Sequence, residues 1–430
     1  MENHYGVANL QTLRLAELEA DIDKASERLL SICANDGFFW LEADQDSELG
    51  KAIAYLADFN ERLFDIEEEE KRRYPFETTG RGLCSGFKAA GTEPGAFGTP
   101  DGFELYMVPY NELLIDNYPH ELVGPSIVKN EQEKMALHTA TYHGVGLLLL
   151  NRLSQSLGQP QYQHLASAHD PQVPTTSSLT FLKYPDQQVG NEGGHVSHTD
   201  VGTLTFLYTL SPGLQIYHPA RDAWEWVEPR RNCLLVNVGD SLALMTDRKL
   251  RSSLHRVIPH PSTGGTTRHS FAYFMRPIET APLRMAGGQV LESVEWHLRK
   301  IKVFGAPLEV QTEANGVLLG DRSGGGAAAA FPDGYDAETL MRLVFGFAAK
   351  DTGEEGGRCI TLEGMLNSTD GRVVLLQEYP PPGSHQSQWH GTATLFGIVG
   401  YWMQETLLLY MEYELGVIDD INTTPVQPLV

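Results

Sequence analysis

The chain has 430 residues, 41% hydrophobic and 20% charged, a balance that excludes a disordered or fibrous protein and fits a packed globular one. Its formal charge of −24 disfavours nucleic acid or an anionic membrane surface as a partner, since both need Lys and Arg to neutralise phosphate, although a local basic patch can still serve an anionic ligand. The cysteines Cys33, Cys84, Cys233 and Cys359 are scattered without zinc-type spacing and read as reduced thiols, not as a structural metal site.

The N-terminal stretch MENHYGVANLQTLRLAELEA lacks the basic start, apolar core and small-residue cleavage site of a secretory signal. A cytoplasmic protein is expected, and the Asn-x-Ser/Thr triplets at Asn367 and Asn422 are then chance matches. Apolar residues recur at helical spacing from Leu10 to Leu30, and ICANDGFFWLE then reads as a turn leading into a strand. A second helix is predicted over Asp46 to Arg73, with the acidic run Glu67 to Glu70 as a solvated face. Residues 77 to 120 are rich in Gly, Pro and aromatics without periodicity, which predicts irregular loops able to carry ligand contacts. A third helix is expected from about Asn130 to Gly158, with Leu147 to Leu150 as its buried section.

From Ser177 to Pro277 the pattern changes to short β-type runs, LTFLKYP, TLTFLY, LQIYH, WEWVEP, CLLVNVG, SLHRVIP and RHSFAYFM, at the spacing of an antiparallel sandwich or barrel. A helix follows around Glu292 to Phe304, and the tract SGGGAAAA from Ser323 to Ala330 has too little side-chain bulk to pack and reads as a linker. The apolar segment Thr392 to Ile418 is interrupted by Gln404, Glu405, Glu412 and Glu414, which favours a buried or docked segment over a membrane span. The expected class is mainly β with flanking helices. Its parts are an N-terminal helix and strand region over 1–120, a supporting helix and connection over 121–175, the catalytic β core over 176–280, a C-terminal helix over 281–320, and a linker with acidic extension of unknown role over 321–430.

Chemistry concentrates in GGHVSHTDVGTLTFLY, where His198 and Asp200 stand two residues apart, a spacing that points both side chains to one face of a strand. An isolated His-x-Asp is commonly a surface pair. With a third ligand from a distant strand, for which His255 in SSLHRVIP is the best candidate, two histidines and a carboxylate occupy one face of an octahedron and select an oxygen-activating Fe(II). A second element shifts the balance, because Arg268 and Ser270 alternate with His269 and so share one face of another strand. Guanidinium and hydroxyl together suit a carboxylate, and beside a facial triad they supply the far-end clamp for a dicarboxylate whose α-keto acid end chelates the iron. His195 lies three residues before His198, an odd offset that on a regular strand turns it to the opposite face and makes it a non-ligand. His218, His260 and His269 are expected at the surface or in packing, and Phe206, Phe271 and Phe274 in the core.

Over roughly residues 10 to 305 the chain resembles the 2-oxoglutarate and Fe(II)-dependent dioxygenases of the isopenicillin N synthase, flavonoid oxygenase and gibberellin oxidase type. The motifs occur in the family's order: LKYP at Leu182 to Pro185, HTD at His198 to Asp200, GLQI at Gly213 to Ile216, Trp-x-x-Val-x-Pro at Trp224 to Pro229, LLVNVGDSL at Leu234 to Leu242, HRV at His255 to Val257 and RHSFAYF at Arg268 to Phe274. The resemblance implies a double-stranded β-helix (jelly-roll) core. It implies His198, Asp200 and His255 as metal ligands, Arg268, Ser270 and Tyr184 as cosubstrate-binding residues, and Asn237 with Gly239-Asp240 as a turn behind the metal with packing roles. Residues between Gly80 and Pro109, including Phe103 and Met107, match the family's pocket mouth. Many members carry Asn-Tyr-Tyr-Pro where this chain has Leu182-Lys183-Tyr184-Pro185, so roles of the first two positions do not transfer.

The implied activity is oxidation of an unactivated C–H bond of a small organic substrate from specialised metabolism, using Fe(II), 2-oxoglutarate and O2, with ascorbate as a supporting reductant, and yielding succinate and CO2. Hydroxylation is the default outcome, with desaturation, cyclisation or ring rearrangement as variants. Two alternatives stay open at this point: an isopenicillin N synthase-like oxidase that does not use 2-oxoglutarate, and an inactive jelly-roll binding module. Substrate identity and oligomeric state are not legible in the sequence.

Overall fold

The computed structural model describes residues 5–20, 23–76, 85–93, 100–185 and 194–306 apart from 219–220, 222, 264 and 286, together with 317 and 320 and the backbone of six strands between 350 and 399. The chain opens with β1 (Gly6–Val7), β2 (Thr12–Arg14), α1 (Leu15–Glu19), α2 (Asp23–Asn35), β3 (Phe38–Glu42), α3 (Glu48–Asp65) and α4 (Glu68–Arg72). The stretch that reads as one helix from Leu10 is therefore divided, because Thr12 to Arg14 pair in parallel with Trp40 to Glu42 and bury Leu13. The predicted second helix is likewise two: Ile66 takes an extended backbone (φ −68°, ψ 155°) between α3 and α4. Its start is set by Ser47, whose Oγ accepts the Gly50 N–H at 3.1 Å and satisfies a donor that the first turn leaves free.

Next come β4 (Gly86–Lys88), β5 (Glu104–Pro109), α5 (Tyr110–Leu114), α6 (Ser126–Asn130) and the long α7 (Gln132–Leu157). The region read as irregular thus holds two strands and a helix. Leu105 to Pro109 are buried on both faces, which erases the polar–apolar alternation that marks a half-exposed strand. Residues 80–84 and 94–99 of the expected pocket mouth lie outside the described residues.

The β region contains β6 (Ser178–Tyr184), β7 (His195–His198), β8 (Leu204–Thr209), β9 (Leu214–His218), β10 (Ala223–Trp226), β11 (Cys233–Val238), α8 (Asp240–Met245), β12 (His255–Val257) and β13 (Arg268–Met275). They form two sheets, one ordered β2-β3-β11-β8-β13-β6-β5-β4 and the other β1-β10-β9-β12-β7. Period 2 divides the residues of the large sheet between two cores. Phe38, Trp40, Leu105, Met107, Tyr184, Cys233 and Leu235 face the smaller sheet and meet Leu214, Ile216 and Val257. Their neighbours Phe39, Leu41, Tyr106, Val108, Phe181, Leu234, Val236 and Phe271 face outward onto α2, α3 and α7. Both faces being covered explains why CLLVNV is buried at every position. The expected mainly-β class with a jelly-roll core and flanking helices is the observed one.

A hairpin of β14 (Pro282–Arg284) and β15 (Val290–Glu292) leads into α9 (Ser293–Phe304), which packs Trp296 and Val303 against Val201, Leu244 and Leu283. Further on, the backbone shows a four-stranded antiparallel sheet of β16 (Lys350–Glu355), β17 (Arg358–Leu366), β18 (Val373–Glu378) and β19 (Gln388–His390), and a pair, β20 (Thr392–Thr394) with β21 (Gly397–Val399). The linker tract Ser323–Ala330 lies outside the described residues, as does most of the apolar segment after Thr392. No helix among the described residues is long and apolar enough to cross a membrane.

Candidate metal and cosubstrate site

Three of the predicted residues converge at the open side of the smaller sheet. His198 ends β7 and stands opposite His255 of β12 in register, while Asp200 lies in the turn just beyond β7. One ligand atom from each falls within 4.8 Å of the others, and Asp200 Oδ1 is 3.6 Å from Nε2 of both histidines. All three residues are buried, where an ionised carboxylate is stable only with partners that offset its lost hydration. Burial alone would raise the Asp200 carboxyl, but His255 and His198 outweigh it and hold the group well below the usual carboxylate range. An ionised carboxylate with two imidazoles at this spacing is a donor set for a divalent transition metal.

The surrounding groups orient these donors. Asp200 Oδ2 accepts Thr205 Oγ1 at 2.6 Å and Asn237 Nδ2 at 2.7 Å, which leaves Oδ1 as the oxygen turned to the histidines. Thr205 and Asn237 are directly opposite in the β8–β11 register, so two adjacent strands deliver both donors to one oxygen. The carbonyl of Ser253 can only accept, so the His255 Nδ1 at 3.1 Å carries the proton and the Nε2 lone pair is free. The Asp240 N–H donates to the Asp200 carbonyl at 2.7 Å, and Gly239 permits this approach, since a Cβ there would fall 2.2 Å from the Gly202 oxygen. Asn237 and Asp240, read from sequence as packing residues of a turn, are thus hydrogen-bonded to the carboxylate and backbone of Asp200. The available signal was a polar pair, Thr205 and Asn237, inside strands otherwise apolar.

His195 does not turn away as the odd offset predicts. Three residue steps along β7, from His195 to His198, span two along β12, from Val257 to His255, so the strand carries a bulge. The extra residue restores both imidazoles to one side, with ring centroids 4.3 Å apart. His195 nevertheless lies outside the three-residue donor cluster. Its ring packs against Phe103 (5.0 Å) and stacks on Phe304 of α9 (5.7 Å), and burial with neighbouring His198 and His255 holds it well below its usual range and neutral. Phe304 also meets the His198 ring at 5.1 Å. Behind Phe103, the Lys88 ammonium lies 3.9 Å from the ring centroid and pairs with buried Asp101, a pair with no signature in the sequence. His260 packs on Trp226 and His269 lies near Phe64, both away from the donor cluster.

The second constellation lies deeper in the barrel. Arg268, 1% exposed, starts β13, and its Nη1 donates to Ser270 Oγ at 3.0 Å. Its guanidinium carbon is 4.8 Å from the ring centroid of Tyr184, the residue paired opposite it on β6. The Arg268 Nε is buried without a hydrogen-bond partner. A buried guanidinium with an unsatisfied donor and, among the described residues, no carboxylate paired with it is costly unless an anion completes it. Phe103 joins the two constellations, with Tyr184 at 5.3 Å on one side and His195 on the other.

Comparison with known proteins places this geometry in a family. The model of the 2OG-Fe(II) oxygenase superfamily matches residues 176–277. The 2-oxoglutarate-dependent dioxygenase ecdG of Aspergillus rugulosus is 36% identical over 280 residues, 64% of this chain and 82% of the relative. The 2-oxoglutarate-dependent dioxygenase gloE of Glarea lozoyensis is 34% identical over 313 residues, covering 72% of this chain and 92% of its own. Among solved structures, a full-length Neurospora crassa protein in complex with alpha-KG aligns with a TM-score of 0.58 at 18% identity, over 70% of this chain and 98% of that one. A 2OG-Fe(II) oxygenase family protein from Caulobacter crescentus aligns with a TM-score of 0.57 at 20% identity, over 69% of this chain and 99% of that one. These two likenesses concern the fold, whereas the curated relatives, matched along most of their length, concern the family. The chain therefore belongs to the 2-oxoglutarate and Fe(II)-dependent oxygenases and is a dioxygenase whose cofactors are Fe(II), 2-oxoglutarate and O2.

Proposed function

We propose that His198, Asp200 and His255 hold one Fe(II), that Arg268 and Ser270 anchor the distal carboxylate of 2-oxoglutarate with Tyr184 beside it, and that the enzyme oxidises an unactivated C–H bond of a small specialised metabolite. The observation that carries this reading is the pairing of two incomplete sites in one barrel: a buried donor cluster within 4.8 Å, and a buried guanidinium whose Nε lacks a partner. A dicarboxylate with an α-keto acid at one end answers both. The names of the fungal relatives, 2-oxoglutarate-dependent dioxygenases, support the use of 2-oxoglutarate and leave the 2-oxoglutarate-independent oxidase and the inactive module unfavoured.

With metal and cosubstrate bound, the centre supplies an oxidant strong enough to break an aliphatic C–H bond and releases succinate and CO2. The chain's own residues supply placement. Asp200 and the two imidazoles would hold the ion, and Thr205 and Asn237 keep the carboxylate from rotating. Arg268 fixes the cosubstrate at its far end through two possible N–H donors, and the Ser270 hydroxyl adds a third contact. His195, Phe103 and Phe304 form an aromatic wall beside the donor cluster and would exclude water and position the substrate there. The bulk of such a wall suits an apolar or planar substrate body.

Protein loaded anaerobically with Fe(II) and given 2-oxoglutarate, O2 and a panel of metabolites is expected to release succinate in proportion to substrate consumed. Oxygen consumption with substrate oxidation but without succinate sinks the cosubstrate assignment and revives the oxidase reading.

A further inference from the structure

Lys300 is the one lysine of α9 that is completely buried, and its ammonium lies among polar groups outside the donor cluster. Its Nζ donates to Thr199 Oγ1 at 2.8 Å and pairs with the Asp240 carboxylate. Thr199 is itself fully buried and stands between His198 and Asp200 in the chain. The other Asp240 oxygen accepts Ser252 Oγ at 2.7 Å, next to Ser253, whose carbonyl receives the His255 proton at 3.1 Å. Through its own N–H, Asp240 also holds the Asp200 carbonyl at 2.7 Å. One ammonium therefore touches the turn carrying two donors and, through a single carboxylate, the segment leading to the third.

An ion pair with both partners fully desolvated is a poor way to hold a helix down, because apolar groups of similar volume stabilise as well or better. Trp296 and Val303 already provide such packing for α9. What the pair adds is a fixed direction at the donor turn. We propose that Lys300 is a positioning residue for the metal centre, acting from the C-terminal helix through Thr199 and Asp240 on the backbone that presents His198, Asp200 and His255. This inference rests on the metal reading above and extends it to a residue outside the jelly roll.

The test is a Co(II) titration of the metal-free full-length protein, followed by the visible ligand-field bands of the bound ion, with thermal unfolding measured in parallel. In the double variant Lys300→Met/Asp240→Asn, which leaves no unpaired buried charge, Co(II) affinity is expected to fall about 10- to 100-fold with altered bands, the range for losing groups that orient metal ligands. Thr199→Val keeps the ion pair and removes only the direct hydrogen bond from its ammonium to the donor turn, and about a 10-fold loss is expected. It also decides the matter if the double variant does not fold. Val303→Ala, which loosens the packing of the helix at a residue away from the pair, should lower the unfolding temperature and leave Co(II) affinity unchanged. Wild-type affinity and bands in every folded variant of Lys300, Asp240 and Thr199 would overturn the proposal, whatever their stability. Absence of Co(II) binding by the wild-type protein would instead remove the metal reading itself.

Discussion

At the scale of single residues, the division of labour on Asp200 explains the site. One oxygen is turned to the histidines, and the other is saturated by Thr205 and Asn237. Replacing Asn237 with Ala removes one of these donors and frees the carboxylate to rotate, so Fe(II) affinity should drop by about 10- to 100-fold while the fold persists. Equilibrium dialysis against Fe(II) under argon measures this, and an unchanged constant would show that the Asn237 contact is incidental. At Arg268 the distinction lies between charge and shape. Arg268→Lys keeps a cation but loses the planar fork, and Arg268→Ala loses both, so the KM for 2-oxoglutarate should rise in that order, with Ala about 10- to 100-fold above wild type for the loss of charge-assisted bonds. Equal Michaelis constants in the three proteins would place the anchor elsewhere. Much of this was legible in the sequence, because Arg268 and Ser270 obey the two-residue period of a strand, and Asp200, just past the end of β7, keeps the same offset from His198. His195 was misread for a physical reason: a bulge adds a residue, and a three-residue offset then behaves as two.

At the scale of elements, the seven β-type runs from LTFLKYP to RHSFAYFM all fell on strands, since turn residues bound each of them, whereas β7, HVSH, has no apolar run and was not among them. The helix boundaries near Leu10 and Ile66 were lost to tertiary context: a parallel pairing with β3 in the first case, an extended residue in the second. β4 and β5 were hidden because strands covered on both faces show no period. The C-terminal helix was foreseen, but its place in the site was not, because the contacts of Lys300 with Asp240 and of Phe304 with His198 join residues far apart in sequence. All groups assigned here to metal, cosubstrate and aromatic wall lie between Lys88 and Phe304. A chain ending after Gly320 is therefore expected to bind one Co(II) as the full chain does, whereas one ending before Ser293 is not. Loss of binding in the longer truncation would assign a part of the site to the C-terminal extension.

At the scale of the whole molecule, the sign of the pH dependence follows from the interior. Burial drives His169 down to about 3 and His297 well below its ordinary value, and it also lowers His143. The folded protein keeps these imidazoles neutral while the unfolded chain protonates them near 6.5, so stability is complete above that value and is lost as the pH falls toward the folded-state values. Glu112, pushed up to about 7 by burial, works in the opposite direction, as do the raised Glu93 and Glu279. The histidines, whose shifts are the deepest, prevail, and the stability they contribute is lost progressively as the pH falls below 6.5. Denaturant unfolding should therefore show a lower midpoint at about pH 5.5 than at about pH 7.5, and equal midpoints would contradict the balance. The charge of −24 was legible from composition, but the position of these buried groups was not, since nothing local in the sequence separates a core histidine from a surface one.

The central claim is that three side chains from two strands and a turn hold a single ferrous ion. Anaerobic Fe(II) titration of metal-free protein, with bound iron counted per chain, tests it most directly in the wild type and in His255→Ala. One ion per chain in the wild type and none retained by the variant is the predicted result, and a full complement of iron in His255→Ala would contradict it.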